Sequence, residues 1–339
     1  MCDRCGYYAS MGAHFCPVCG EPCDPSAFQP QPAPRSGNSD LMKIIIALGC
    51  IISALVLIGL IFELFVGIDK AGYVIENLQG YSDTLFLIVP FFVNLFTLTG
   101  DALVAFYVIL LAAVTVSVLA ICFVTFKRYG ESNDISDTPL YEMAVLFAAL
   151  FAVEFAMILI LNALGIETDS PGERPVWEWM FDLLQASVWE EVITRFLYLG
   201  LPATVIYYII KKEGRSPKWL LGGFGIDKVS IVFIFFSAFM FGAGHLNSWG
   251  LWKFIPTFLF GLIAGYLYCK YGIYATICMH FLTDYMQADS WLLGTGSSTL
   301  LTGLALFAIG LLGIPFIWVY LKRGALCLSG QLSSSRRRS

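Results

Sequence analysis

From Leu41 onward the chain alternates long apolar runs with short polar ones. A hydrocarbon layer of about 30 Å asks for about 20 apolar residues per helical span. The pattern predicts spans near 41–66, 101–126, 140–164, 181–210, 229–246, 254–269, 272–289 and 299–321. The expected fold is therefore an all-α polytopic membrane protein of about eight transmembrane helices. One apolar piece, "TLFLIVPFFVNLFTLT" at Thr84–Thr99, fits badly because it is short and holds Pro90. It reads as an interfacial or re-entrant segment, or as a tilted span that would change the parity.

The first 40 residues follow a different rule. Residues 1–26 are polar and cysteine-rich, residues 27–40 ("AFQPQPAPRSGNSD", from Ala27) form a Pro/Ser/Gly tether, 41–325 form the bundle and 326–339 a basic tail. The start lacks the basic stretch, apolar run and small-residue cleavage site of a signal peptide, so the first span is expected to stay as an anchor. In the head, Cys2, Cys5, Cys16 and Cys19 make two C-x-x-C pairs, each followed by a glycine, Gly6 and Gly20. Two tight turns that aim two thiolates each at one point suit a tetrahedral structural zinc, so a zinc-ribbon is expected. A piece this small needs such a staple to fold. His14 and Cys23 are weaker ligand candidates because neither sits in a paired turn. Reduced thiolates put this head in the cytosol.

Composition and charge agree. The chain is 58% hydrophobic and 13% charged, with a formal net charge of −5, a balance that excludes nucleic acid as a partner and makes membrane lipid the surrounding medium. With the N-terminus inside, the inner loops carry Lys127, Arg128, Lys211, Lys212, Arg215, Lys218, Lys228 and Lys270, and the tail adds Lys322, Arg323 and "RRR". The outer segment "GIETDSPGERPVWEW" is acidic. Lysine and arginine asymmetry thus predicts a multi-pass protein with both termini cytosolic.

Within the apolar runs a few ionisable residues stand out, because charge in hydrocarbon pairs or faces a wet cavity. "SVWEEVITRFLYLGLP" places Glu190, Glu191 and Arg195 at the head of a run that is uncharged from Phe196 to Ile210, about 22 Å of helix. That is too short to cross, so the helix must extend back through the charges. Glu191 and Arg195, at i and i+4, are expected to pair, and Glu190 points elsewhere and needs another partner. His245 closes "FMFGAGH", where Gly242 and Gly244 thin the helix surface for a close neighbour. His280 opens "HFLTD", with Asp284 one turn later. Two histidines, a spare glutamate and an aspartate on three helices make a hydrolytic set: a carboxylate to activate water, and imidazoles to polarise a carbonyl, shuttle protons or bind a metal.

These motifs resemble the CAAX-protease and bacteriocin-processing (CPBP, or Abi) family of intramembrane metalloproteases. "EEVITR" matches E-E-x-x-x-R, "FGAGH" matches F-x-x-x-H and "HFLTD" matches H-x-x-x-(N/D), in the family's order, across roughly residues 140–321. The resemblance implies a helical bundle around a cavity and an endopeptidase acting on a membrane-associated or prenylated protein or peptide. It implies catalytic roles for Glu190, His245, His280 and Asp284: Glu190 activates water with His245, and His280 and Asp284 stabilise the oxyanion or hold a divalent metal. Glu191 and Arg195 would support the site. Where relatives carry asparagine this chain has Asp284, which when ionised cannot donate to an oxyanion. It would instead orient His280 or join a metal site. The alternative from the residues alone is a non-enzymatic adaptor that holds a protein partner by its zinc-ribbon, or an ion or proton relay.

Overall fold

The computed structural model describes residues 39–89, 91–166, 168, 174–211, 217–288 and 297–328. The cysteine head with Cys2, Cys5, Cys16 and Cys19, most of the tether, and the tail from 329 lie outside the described residues. The chain divides into two compact units, Met1–Ile44 and Ile45–Ser339, and all the expected site residues within apolar runs belong to the second.

In chain order the elements are α1 (Ser39–Asp69), α2 (Ala71–Leu78), β1 (Ser82–Val89), β2 (Phe91–Thr99), α3 (Gly100–Ser132) and α4 (Pro139–Ala163). Then follow α5 (Val176–Ile209), α6 (Lys228–Gly244), α7 (Phe254–Lys270), α8 (Ile273–Asp284) and α9 (Ser297–Leu328). Among the described residues six helical stretches are long and apolar enough to cross a membrane: α1, α3, α4, α5, the stretch Leu251–Lys270 that contains α7, and α9. The protein is thus an all-α polytopic membrane protein with one small hairpin.

The two remaining expected spans are helical but short. α6 has 17 residues; its start is set by Asp227, whose Oδ1 accepts from the backbones of Val229 and Ser230, and it stops at His245. α8 has 12 residues, about 18 Å of helix. It begins after Gly272, whose φ of +123° a side chain would strain, and it ends at Asp284. From Ala275 to Leu282 every residue of α8 is buried. It is a core helix, with α3, α4, α5 and α7 packed around it.

β1 and β2 pair as an antiparallel β-hairpin rather than forming a helical span. Ser82 pairs with Thr99 and Ile88 with Phe92, and the hydroxyls of Thr84 and Thr97 bond across the strands at 2.8 Å. β-branched and aromatic side chains favour this extended form, and proline between the strands has no N–H to continue a helix. An isolated hairpin leaves carbonyls unpaired along its edge. Here α5 supplies the donors: Trp189 Nε1 donates to the Phe86 carbonyl at 2.8 Å, and the Tyr198 hydroxyl donates to that of Ile88.

Packing elsewhere follows small residues and one polar lock. α9 lies along α4 and α6 along α7. At Gly261 a Cβ would come within 2.8 Å of Ala238 Cα, so glycine sets the α6–α7 approach. Glu142, 1% exposed, ties α4 to α7 and α9. It accepts from the hydroxyls of Tyr266 and Tyr271 and from Lys270 Nζ, each at 2.5 Å, and from the Tyr320 hydroxyl at 3.2 Å.

Candidate active site

The site is built on an unusual stretch of α5. The backbone winds as π-helix over Ala186–Glu190 and again over Val192–Gly200. Such i→i+5 turns are rare and tend to occur at functional sites. Hydroxyls along the stretch bond back to carbonyls one turn earlier: Ser187 Oγ donates to Leu183 O at 2.6 Å and Thr194 Oγ1 to Glu190 O at 2.5 Å. Within this stretch the consecutive Glu190 and Glu191 are both turned inward, 6% and 0% exposed.

Two further helices bring the remaining groups to Glu190. Its Oε2 lies 3.9 Å from His245 Nε2, at the end of α6, and 3.9 Å from His280 Nε2, on α8. That oxygen is buried and has no hydrogen-bond partner among the described residues. Asp284 Oδ2 is 3.4 Å from His280 Nε2 and 3.3 Å from Ser187 Oγ. Glu190, His245, His280 and Asp284 therefore form one cluster.

Each imidazole is oriented from behind. His245 Nδ1 lies 2.8 Å from the Phe241 carbonyl, which can only accept, so Nδ1 carries a proton and Nε2 faces Glu190. His280 Nδ1 donates to Glu191 Oε1 at 3.0 Å. The other oxygen of Glu191 accepts from Arg195 Nε at 3.1 Å, the expected i,i+4 pair. Glu191 thus orients His280 as well as pairing with Arg195, while Asp284 sits on the Nε2 side.

Arg195 is wholly buried and reaches across to α6. Its Nη1 donates to Ser237 Oγ at 2.6 Å, and Ser237 in turn donates to Thr194 O at 2.6 Å. The guanidinium lies 5.4 Å from the centroid of Phe241. The same ring stands 4.7 Å from His245 and 5.7 Å from His280, and Phe260 covers His280 at 4.9 Å. Two aromatic rings therefore restrict the imidazoles.

Sequence reasoning missed Ser237, Ser187 and Phe260. Ser237 and Ser187 are single hydroxyls on apolar helices, which usually bond a carbonyl of their own helix and carry no distinctive spacing. The hairpin was a further omission. A Cβ on Gly244 would come within 2.7 Å of Ile88 Cγ2, so β1 lies against the end of α6 beside His245, and Gly242 makes room for Phe254 in the same way.

Among the described residues no group of three or more His, Cys, Asp or Glu side chains is placed to hold a metal ion. The 3.9 Å separations around Glu190 exceed the roughly 3.4 Å between ligand atoms of a tetrahedral zinc with bonds near 2.1 Å.

Comparison with curated proteins gave no match, and comparison with solved structures gave none. A family model does match, at residues 172–286, a narrower stretch than the 140–321 expected. It runs from before α5 to just past α8 and contains Glu190, Glu191, Arg195, His245, His280 and Asp284. Residues 172–286, which carry this constellation on three helices of a membrane bundle, match as an Rce1-like domain, by the model of the type II CAAX prenyl endopeptidase Rce1-like family.

Proposed function

We propose that the protein is an endopeptidase that hydrolyses a peptide bond of a membrane-associated or prenylated protein or peptide, with a water activated by Glu190. The observation that carries this reading is Glu190 Oε2, buried, without a partner among the described residues, and 3.9 Å from both imidazole Nε2 atoms. A water bonded at about 2.8 Å to Glu190 and to one imidazole would subtend roughly 90° between them, an accessible angle.

The chemistry then balances with the chain's own groups. Glu190, as carboxylate, takes a proton from the water while His245 Nε2 accepts its second hydrogen and aims the lone pair. The oxygen bonds to the scissile carbonyl carbon. His280, as an imidazolium held at Nδ1 by Glu191, presents Nε2–H to the developing oxyanion, and Asp284 balances its charge. Collapse of the tetrahedral intermediate breaks the C–N bond, and the proton on Glu190 passes to the leaving amine.

In this reading the cysteine head, through Cys2, Cys5, Cys16 and Cys19, is a zinc-stapled cytosolic handle for a protein partner. The deciding experiment incubates the full chain in nanodiscs with membrane-anchored peptides, prenylated and not, and follows products by mass spectrometry. Cleavage is expected, and is lost in Glu190→Gln. Cleavage that continues unchanged in that variant overturns the assignment.

A further inference from the structure

A second polar site lies on the other side of α8. A partly open cavity of about 140 Å³ lies among α1, α4, α8 and α9, with Val56, Phe147, Leu282, Leu306 and Ile309 among its apolar walls. One carboxyl interrupts this surface. Glu63 on α1 lines the cavity, is 6% exposed, and its Oε2 is buried with no hydrogen-bond partner among the described residues. The peptidase mechanism uses neither the cavity nor Glu63. The two sites meet at the end of α8, where Leu282 and Tyr285 line the cavity and Asp284, their near neighbour in the chain, is close enough to Glu63 to interact with it electrostatically.

We propose that this cavity binds the head of an aliphatic membrane amphiphile that donates a hydrogen bond to Glu63. The argument rests on three observations. A buried carboxyl oxygen without a partner is costly, and a donor entering the cavity removes that cost. Apart from Glu63 and the two hydroxyl residues Tyr285 and Thr302 the walls are apolar, so the donor is expected on an alkyl or isoprenoid chain rather than on a polar metabolite. The volume suits a group of about six heavy atoms, comparable with engineered cavities near 150 Å³ that take benzene. It therefore holds the head end alone, and the rest of the chain leaves past the rim. That rim is formed by Phe62 of α1, 36% exposed, and by the exposed Ala305 of α9. Both lie on faces that present Ile58, Ile61, Leu304 and Phe307 outward, as lipid-facing helices do. A neutral hydroxyl and an ammonium satisfy the same requirement.

The test uses three photoreactive probes of one chain length in nanodiscs that contain the full protein. They end in a hydroxyl, an ammonium or a methyl group. Adducts are read by mass spectrometry on Phe62, Leu282 and Met286, leaving out Glu63 because carboxyls trap such probes. The hydroxyl or the ammonium probe is expected to label this wall at least about tenfold more than the methyl probe, and the better of the two identifies the head group. The preference should vanish in Glu63→Leu, and labelling by every probe should fall in Ala305→Phe, which fills the space and keeps the carboxyl. Thermal melting of both variants checks that they are folded. Equal labelling by the three probes, a preference that survives Glu63→Leu, or no adduct on this wall overturns the proposal. Peptide cleavage is scored separately, so failure here leaves the peptidase reading standing.

Discussion

Glu191 and His280, 89 positions apart in the chain, meet at 3.0 Å in the middle of the bundle. Because Glu191 also holds Arg195 at 3.1 Å, one carboxylate joins the π-helical stretch of α5 to the core helix α8. Glu190, its neighbour in sequence, has no such anchor on Oε2. Adjacent residues of one type are thus divided between support and chemistry.

That division predicts opposite phenotypes. Glu190→Gln should abolish cleavage with little change in melting temperature. Glu191→Gln leaves a buried guanidinium without its counter-charge and should destabilise by about 3 kcal/mol or more. Thermal unfolding in detergent, run beside the cleavage assay, checks both. Equal destabilisation by the two variants would contradict the assignment.

His245 touches the proposed water, and among the described residues its ring is held from behind only by Phe241, through the carbonyl and the aromatic ring. His245→Ala should therefore lower kcat by about 10²–10⁴-fold with a small effect on KM. A rise in KM at constant kcat would show that it binds substrate instead.

The hairpin's hold on the site is open to a double-mutant cycle. Gly244→Ala puts a methyl within 2.7 Å of Ile88 Cγ2 and should cost about 1–3 kcal/mol and reduce turnover. Ile88→Ala removes the obstructing atoms, so the double variant should recover most of the loss from Gly244→Ala. Strictly additive losses would mean that the two residues do not meet.

For the cysteine head the expected outcome is one equivalent of zinc per chain, read by metal analysis of the purified protein. Cys16→Ser combined with Cys19→Ser should lose it. Zinc retained by that pair would place the metal elsewhere.

Lysine and arginine placement predicts that Lys218→Cys is labelled by an impermeant thiol reagent only from the cytosolic side. Labelling from the outside would invert the proposed orientation.

Much of this protein was legible in the chain alone. Runs of about 20 apolar residues are dictated by the thickness of hydrocarbon, which is why the helices appear where the hydropathy pattern puts them. Ionisable residues on apolar spans are costly, so Glu190, Glu191, Arg195, His245, His280 and Asp284 could be singled out before any coordinates. The i,i+4 pairing of Glu191 with Arg195 is a local helical property and needed nothing further. Local rules stop there. That 82–99 folds as a hairpin depended on donors from Trp189 and Tyr198, about a hundred positions away, to satisfy its edge. The π-helical winding of α5, the bridge from Arg195 to Ser237, the burial of Glu142 among three tyrosine hydroxyls and the empty side of Glu63 all arise from contacts between helices. Sequence determined which residues must leave lipid, because transfer of charge is costly wherever a residue sits. Only the tertiary structure decided which of them meet, because partners on different helices are chosen by packing, and no spacing along the chain encodes that.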